Sequence, residues 1–230
     1  TTVTMTEPRN ITASFALNRY ELNVVAETGG HVIGSGTFGH GTIATIAASP
    51  TTGYDFSGWS GLGTSDSNSS YALVFMTKDH NVTANFQLKT YPLTVIAETG
   101  GTVFGAGNFE HGTEANVIAT PGIGQHFTGW SGTGISSATK ANATVFMTKA
   151  RNVKAHFDIN RYHLTVFSES GGSAIGSGIF EHGTQATITA SSETGYSFAG
   201  WTGGVTDANA TTTIVDMTKD RNVSATFAIN

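Results

Sequence analysis

Apolar and polar residues alternate along this chain in short runs, and the same runs return. "YELNVVAE" puts Tyr20, Leu22, Val24 and Ala26 on one side, and "YPLTVIAE" repeats the set as Tyr91, Leu93, Val95 and Ala97. Further on, Ala44, Ile46 and Ala48 match Ala115, Val117 and Ala119, then Ala186, Ile188 and Ala190. A last alternating run carries Val82, Ala84 and Phe86, matched by Val153, Ala155 and Phe157 and by Val223, Ala225 and Phe227. A period of two marks strands with one buried face, the habit of antiparallel sheets. No stretch has the helical period with caps. The predicted fold is all-β.

One run breaks the alternation. In "GYDFSGWSG", Tyr54 and Phe56 alternate, but Trp59 falls three residues beyond Phe56. An extra Gly58 at a bulge returns the Trp to the inner face, because glycine tolerates the dihedrals a bulge requires. Gly129 before Trp130 and Gly200 before Trp201 repeat the device. Trp59, Trp130 and Trp201 are therefore expected as core anchors. The competing reading is an exposed ring that stacks on a sugar.

The spacing of these marks is regular. The three Trp are 71 residues apart, as are His40, His111 and His182 and Tyr20, Tyr91 and Tyr162. Met76 and Met147 keep the interval and Met217 comes one residue early. The chain is thus predicted to be a tandem array of small antiparallel modules at 19–89, 90–160 and 161–230. Residues 1–18 contain "VTMTEPRNITASFALN", which lines up with "VFMTKDHNVTANFQLK" and sets Met5 on Met76 and Phe15 on Phe86. They are read as the last strand pair of an incomplete repeat, with open edges that invite pairing. The pairs Gly29-Gly30, Gly100-Gly101 and Gly171-Gly172 are read as hairpin turns, and Lys78, Lys149 and Lys219 as charges at a second hairpin tip.

The ordered set of Tyr, Gly-Gly, Gly-x-Gly-x-Phe, Gly-Thr, Gly-x-x-Trp and a closing Val-x-Ala-x-Phe resembles the divergent internalin-B-type repeat, related to the Listeria–Bacteroides repeats. The match covers the three full copies and the partial one. One departure is Gln125, which stands where Tyr54 and Tyr196 stand in the other copies. The resemblance implies an extracellular or cell-surface prokaryotic protein in which such modules act as stalks, spacers or adhesion segments without catalysis.

Composition narrows the chemistry. Charged residues are only 12% and the net charge is −5, with no basic block, which argues against a nucleic-acid partner. The absence of cysteine removes disulfides, thiolate metal sites and cysteine nucleophiles. No apolar run reaches the length of a membrane span. The chain opens without Met and with no signal peptide, and is read as a mature or excerpted segment.

"GSGTFGHG" matches a phosphate-loop pattern at Gly34, Gly36 and Gly39, but the third position is Glu110 and Glu181 in the other copies. With no helix to follow, the glycines are read as bending the chain. The recurring histidines are read as turn residues. Glu27, Glu98 and Glu169 recur without a nucleophile at a fixed offset, and no Ser-His-Asp set is legible. No enzyme, cofactor or metal is expected.

Six sequons occur, at Asn10, Asn68, Asn81, Asn142, Asn209 and Asn222, and are candidate N-glycosylation sites if the chain is exported. Apolar residues at outward positions, Val25, Phe75, Ile96, Phe146 and Phe167, form a candidate assembly surface. The expected function is a stalk or filament segment, with a carbohydrate-binding or adhesive module as the alternative; residues 1–18 either mark an excerpt of a longer array or let the chain self-assemble by strand donation. Neighbouring repeats, copies of the chain and surface glycans are the expected partners.

Overall fold

The computed structural model describes residues 1–61 and 68–230. They divide into two compact units, Thr1–Thr90 and Tyr91–Asn230. In the first unit the strands are β1 (Arg19–Ala26), β2 (Gly30–Ile33), β3 (Gly36–Gly39), β4 (Thr42–Pro50), β5 (Tyr54–Ser60), β6 (Tyr71–Met76) and β7 (His80–Leu88). They build a four-stranded sheet in the order β3-β1-β7-β5 and a three-stranded sheet in the order β2-β4-β6. One core cluster takes Leu22, Trp59, Val82 and Ala84 from the first sheet and Ala44, Ile46, Val74 and Met76 from the second. The two sheets therefore face each other across that cluster, as in a sandwich.

The alternation read from the sequence places these residues as expected. Ile46, Val74, Met76 and Val82 are fully buried. Each such side chain is worth about 1.5–3 kcal/mol of burial, so a module this small depends on the few it has. The strand register shifts between Phe56 and Gly58, and Gly58 sits at φ +142°, so the bulge lies where the broken alternation put it.

The hairpin readings need correction. Every pair of consecutive strands divides between the two sheets, so neither the Gly29-Gly30 turn nor the Lys78 turn closes a hairpin. Both carry the chain over the end of the sandwich. The glycines serve clearance: a Cβ on Gly29 would overlap the Tyr54 ring, and one on Gly30 the Phe86 ring. In addition, the first and last strands pair in parallel, Leu22 with His80 through Ala26 with Ala84, while the other pairings of the module are antiparallel. Chain ends of a module thus meet in the middle of one sheet.

The second unit holds this plan twice. Its strands are β8 (Thr90–Ala97), β9 (Gly101–Phe104), β10 (Gly107–Glu110), β11 (Thr113–Pro121), β12 (Gln125–Gly132), β13 (Asn142–Met147) and β14 (Arg151–Ile159). They are followed by β15 (Arg161–Ser168), β16 (Gly172–Ile175), β17 (Gly178–Glu181), β18 (Thr184–Ser192), β19 (Tyr196–Thr202), β20 (Thr212–Met217) and β21 (Arg221–Ile229). Sheet orders repeat those of the first unit, with separate cores around Trp130 and Trp201. Gln125, the departure from Tyr, starts β12 and still pairs with Ile159.

Residues 1–18 form no strand, and Met5, Ile11, Phe15 and Leu17 are exposed. The matching segments β6 and β7 pair with β4, β1 and β5, which lie earlier in a copy. Residues 1–18 hold no such partners, so the alternating pattern there has no sheet to join.

Candidate functional site

The three Trp rings are at most 6% exposed. Each donates its indole N–H to a main-chain carbonyl, Trp59 to Ser69 at 2.9 Å, Trp130 to Lys140 and Trp201 to Ala210 at 3.0 Å. Each also meets the preceding Phe edge to face, with ring centroids 5.4–5.7 Å apart. They are core anchors. No Trp face is open for stacking on a sugar.

The glycine string bends the chain, as read. Gly34, Gly105 and Gly176 have φ near +120° at the crossing from the three-stranded to the four-stranded sheet. A Cβ there would press on the carbonyl oxygens of Thr45, Asn116 and Thr187. The backbones touch too closely to leave a phosphate cradle.

The recurring histidines have a role that sequence reasoning missed. Each ring packs on the Tyr that opens its module, at centroid distances of 5.9–6.0 Å. In the second unit His182 also joins two modules: its N–H donates to the carbonyl of Asn160 at 2.8 Å, and its ring lies so near Gly124 that a Cβ there would overlap it. The recurrence of Tyr and of His every 71 residues was visible in the sequence, but the glycine that His182 meets comes from the preceding copy. His40 makes the same main-chain bond to Asn18.

The candidate assembly residues separate into two groups. Val25, Ile96 and Phe167 lie on the outer faces of the four-stranded sheets, and Phe75 and Phe146 on the outer faces of the three-stranded sheets. All five are exposed. They do not form one surface within a module, because β1 and β6 belong to opposite sheets. The six sequon asparagines are exposed. Asn81 is also bonded by the side chain of Asn23 at 3.2 Å.

The most chemically organised cluster is one the sequence did not disclose. On the outer face of the four-stranded sheet of the second module, His156 of β14 stands between Glu98, just past β8, and Ser131 of β12. Nδ1 of His156 is 2.8 Å from Glu98 Oε2, and Nε2 is 2.7 Å from Ser131 Oγ. Lys154 pairs with Glu98 as well. The Lys154 ammonium, then the His156 ring, hold the Glu98 carboxyl below the usual carboxylate range. Separations of 33 and 25 residues hid this set, which depends on three strands becoming neighbours.

The family model for the divergent InlB B-repeat domain matches residues 20–90, 91–161 and 162–230. The chain belongs to the divergent InlB B-repeat family. These B-repeats find no match among curated proteins. Among solved structures, the Bacillus anthracis TIE protein is similar at 7% identity and a TM-score of 0.44, over 92% of this chain and 51% of that one. This chain therefore spans about half the length of that protein. A fragment of the titin I-band aligns at 8% identity and a TM-score of 0.14, over 91% of this chain and 96% of that one. Among the described residues no helix is long and apolar enough to cross a membrane.

Proposed function

We propose that the chain is a stalk segment of a prokaryotic cell-surface protein, serving to hold other parts of that protein away from the cell. The observation that carries this reading is the construction of the array: each copy has its own closed core, and successive copies are joined by a single residue between strands, Lys89 or Asn160. A one-residue joint is short, as a spacer needs, and within the second unit the contacts of His182 with Asn160 and Gly124 tie its two modules together. The family and the all-β repeat fold support a structural, non-enzymatic module.

Residues 1–18 belong to the same proposal as the closing segment of a repeat. Their exposed Met5 and Phe15 match Met76 and Phe86, which pack into a core when the rest of a copy is present. The last strands of all three complete copies are already supplied in cis. The segment is therefore expected to pair with the earlier strands of a further copy, and not to invade the three present here. The exposed sequons are proposed as glycosylation sites on export.

The test is the solution mass of the 23.9 kDa chain over a wide concentration range, joined to surface labelling of intact cells. A constant mass of one chain, with labelling of unpermeabilised cells, is the expected result. Concentration-dependent polymers would replace the stalk by a filament, and an exclusively internal location would overturn both.

A further inference from the structure

The cluster on the second module is more than a hydrogen-bonded ornament of a strand face, because its protonation pattern is determined by the groups present. Ionised Glu98 only accepts, so the proton on the facing nitrogen, Nδ1 of His156, is fixed there. In the neutral ring Nε2 is then a bare acceptor, and Ser131 must donate its hydroxyl to it. A serine whose proton already points at an imidazole, itself oriented by a carboxylate, is the arrangement of an activated nucleophile. Ser131 is also exposed, so a reagent can reach Oγ.

We propose that Ser131 is an acyl-acceptor site, which captures the acyl group of an activated carboxylic ester with His156 as its base and Glu98 as the group that orients that base. Ser131 Oγ forms a bond to the carbonyl carbon, the carbon–oxygen bond to the leaving alkoxide breaks, and the serine proton passes to His156 Nε2 and from there to the alkoxide. Nothing is oxidised or reduced. The acyl group remains as an ester on Ser131. Lys154 is the direct cross-strand neighbour of Ser131 and brings cationic charge to the same face.

The other copies act as controls built into the molecule. The Glu recurs as Glu27 and Glu169, and its N–H bonds the neighbouring Ala carbonyl at 3.0 Å in all three copies. The hydroxyl recurs as Ser60 and Thr202. The middle position changes: Asn85 in the first module bonds Ser60 at 3.3 Å but has no basic nitrogen, and Thr226 in the third turns to the Gly200 carbonyl at 2.9 Å. One residue converts an inert polar ladder into a base and nucleophile. The glycine bulge that buries Trp130 leaves Ser131 outward beside His156.

The experiment exposes the intact chain to p-nitrophenyl acetate and follows acetylation of each serine with time by peptide mass spectrometry. Ser131 is expected to react roughly a hundredfold faster than Ser60, the lower end of what a positioned base supplies. His156→Asn, which copies the first module and keeps the fold, is expected to abolish the difference. Asn85→His is expected to raise the reactivity of Ser60 beside Glu27. Equal rates at Ser131 and Ser60, an unchanged rate in His156→Asn, or acetyl found on Lys154 in place of Ser131 would each overturn the proposal.

Discussion

At one cross-strand position the outer face of the three-stranded sheet is apolar in the first module and polar in the third, on the same backbone plan. Across β4 and β6 the cross-strand pair Ile43–Phe75 is exposed, at 61% and 55%, beside exposed Leu73 and Tyr71. At the matching place in the third module the pair is Gln185 and Asp216, bonded side chain to side chain at 2.9 Å. One layer deeper the modules agree: Ile46 and Ile188, Val74 and Val215, Met76 and Met217 are all fully buried. The inner face determines the fold, and the outer face is left free to differ. An apolar outer pair that the fold does not require is where contact with another surface is expected.

The largest effect should come from breaking the shared layer. Trp201→Ala is expected to cost about 3–5 kcal/mol and Ile188→Ala about 2–5 kcal/mol, because a cavity adds to the lost burial. Urea titration of the chain should show the loss, against a change within about 0.5 kcal/mol for the outer Gln185→Ala.

Two glycines of one module differ in what surrounds them. Gly105 and Gly112 both have positive φ, at +119° and +83°. A Cβ on Gly105 would collide with the Asn116 carbonyl, while one on Gly112 meets nothing within 4 Å. Gly112→Ala should cost about 1 kcal/mol for the backbone strain alone, and Gly105→Ala clearly more, read as the difference in urea midpoints.

Exchanging the outer pair tests whether it serves the fold. Ile43→Gln with Phe75→Asp gives the first module the residues of the third. Stability should move by less than about 1 kcal/mol, as for exposed substitutions in general. Any concentration-dependent association measured by sedimentation should weaken. A large loss of stability would show that the apolar pair serves the fold after all.

The smallest effect concerns Glu98. Its carboxyl is held below the ordinary range by Lys154 first and His156 second, so the folded state binds its proton less readily than the unfolded chain does. Its contribution is therefore present above the unfolded carboxylate range and lost as pH falls through the lowered value. Wild type and Glu98→Gln should differ slightly near neutrality and converge in acid, followed by thermal unfolding across pH. The pair is exposed, which keeps the difference small.

Much of the interior was legible before any coordinates. The two-residue period placed Ile46, Val82 and Ala84, and the interruption at Gly58 announced a bulge, because both signals are local and steric. Pairing was less legible. The Gly29-Gly30 turn has the composition of a hairpin, yet the rings of Tyr54 and Phe86, more than twenty residues away, give those glycines their purpose. Strands in residues 1–18 were expected from alternation that is real, but a strand needs a neighbour, and periodicity does not supply one. The set at Glu98, Ser131 and His156 was out of reach for the same reason, since its members meet only when β8, β14 and β12 lie side by side.

The parallel pairing of first and last strands gives a module a direction of strength. Tension applied along the chain enters at the start of β1 and leaves at the end of β7, and in a parallel pair these points lie at opposite ends of the shared ladder. The five residue pairs from Leu22–His80 to Ala26–Ala84 are then sheared together, where a hairpin would be unzipped one pair at a time. The same five-pair ladders recur at β8–β14 and β15–β21. Stretched between its ends in a force microscope, the chain should give way module by module at forces above those that peel hairpins apart, and a copy should hold until its whole ladder slips.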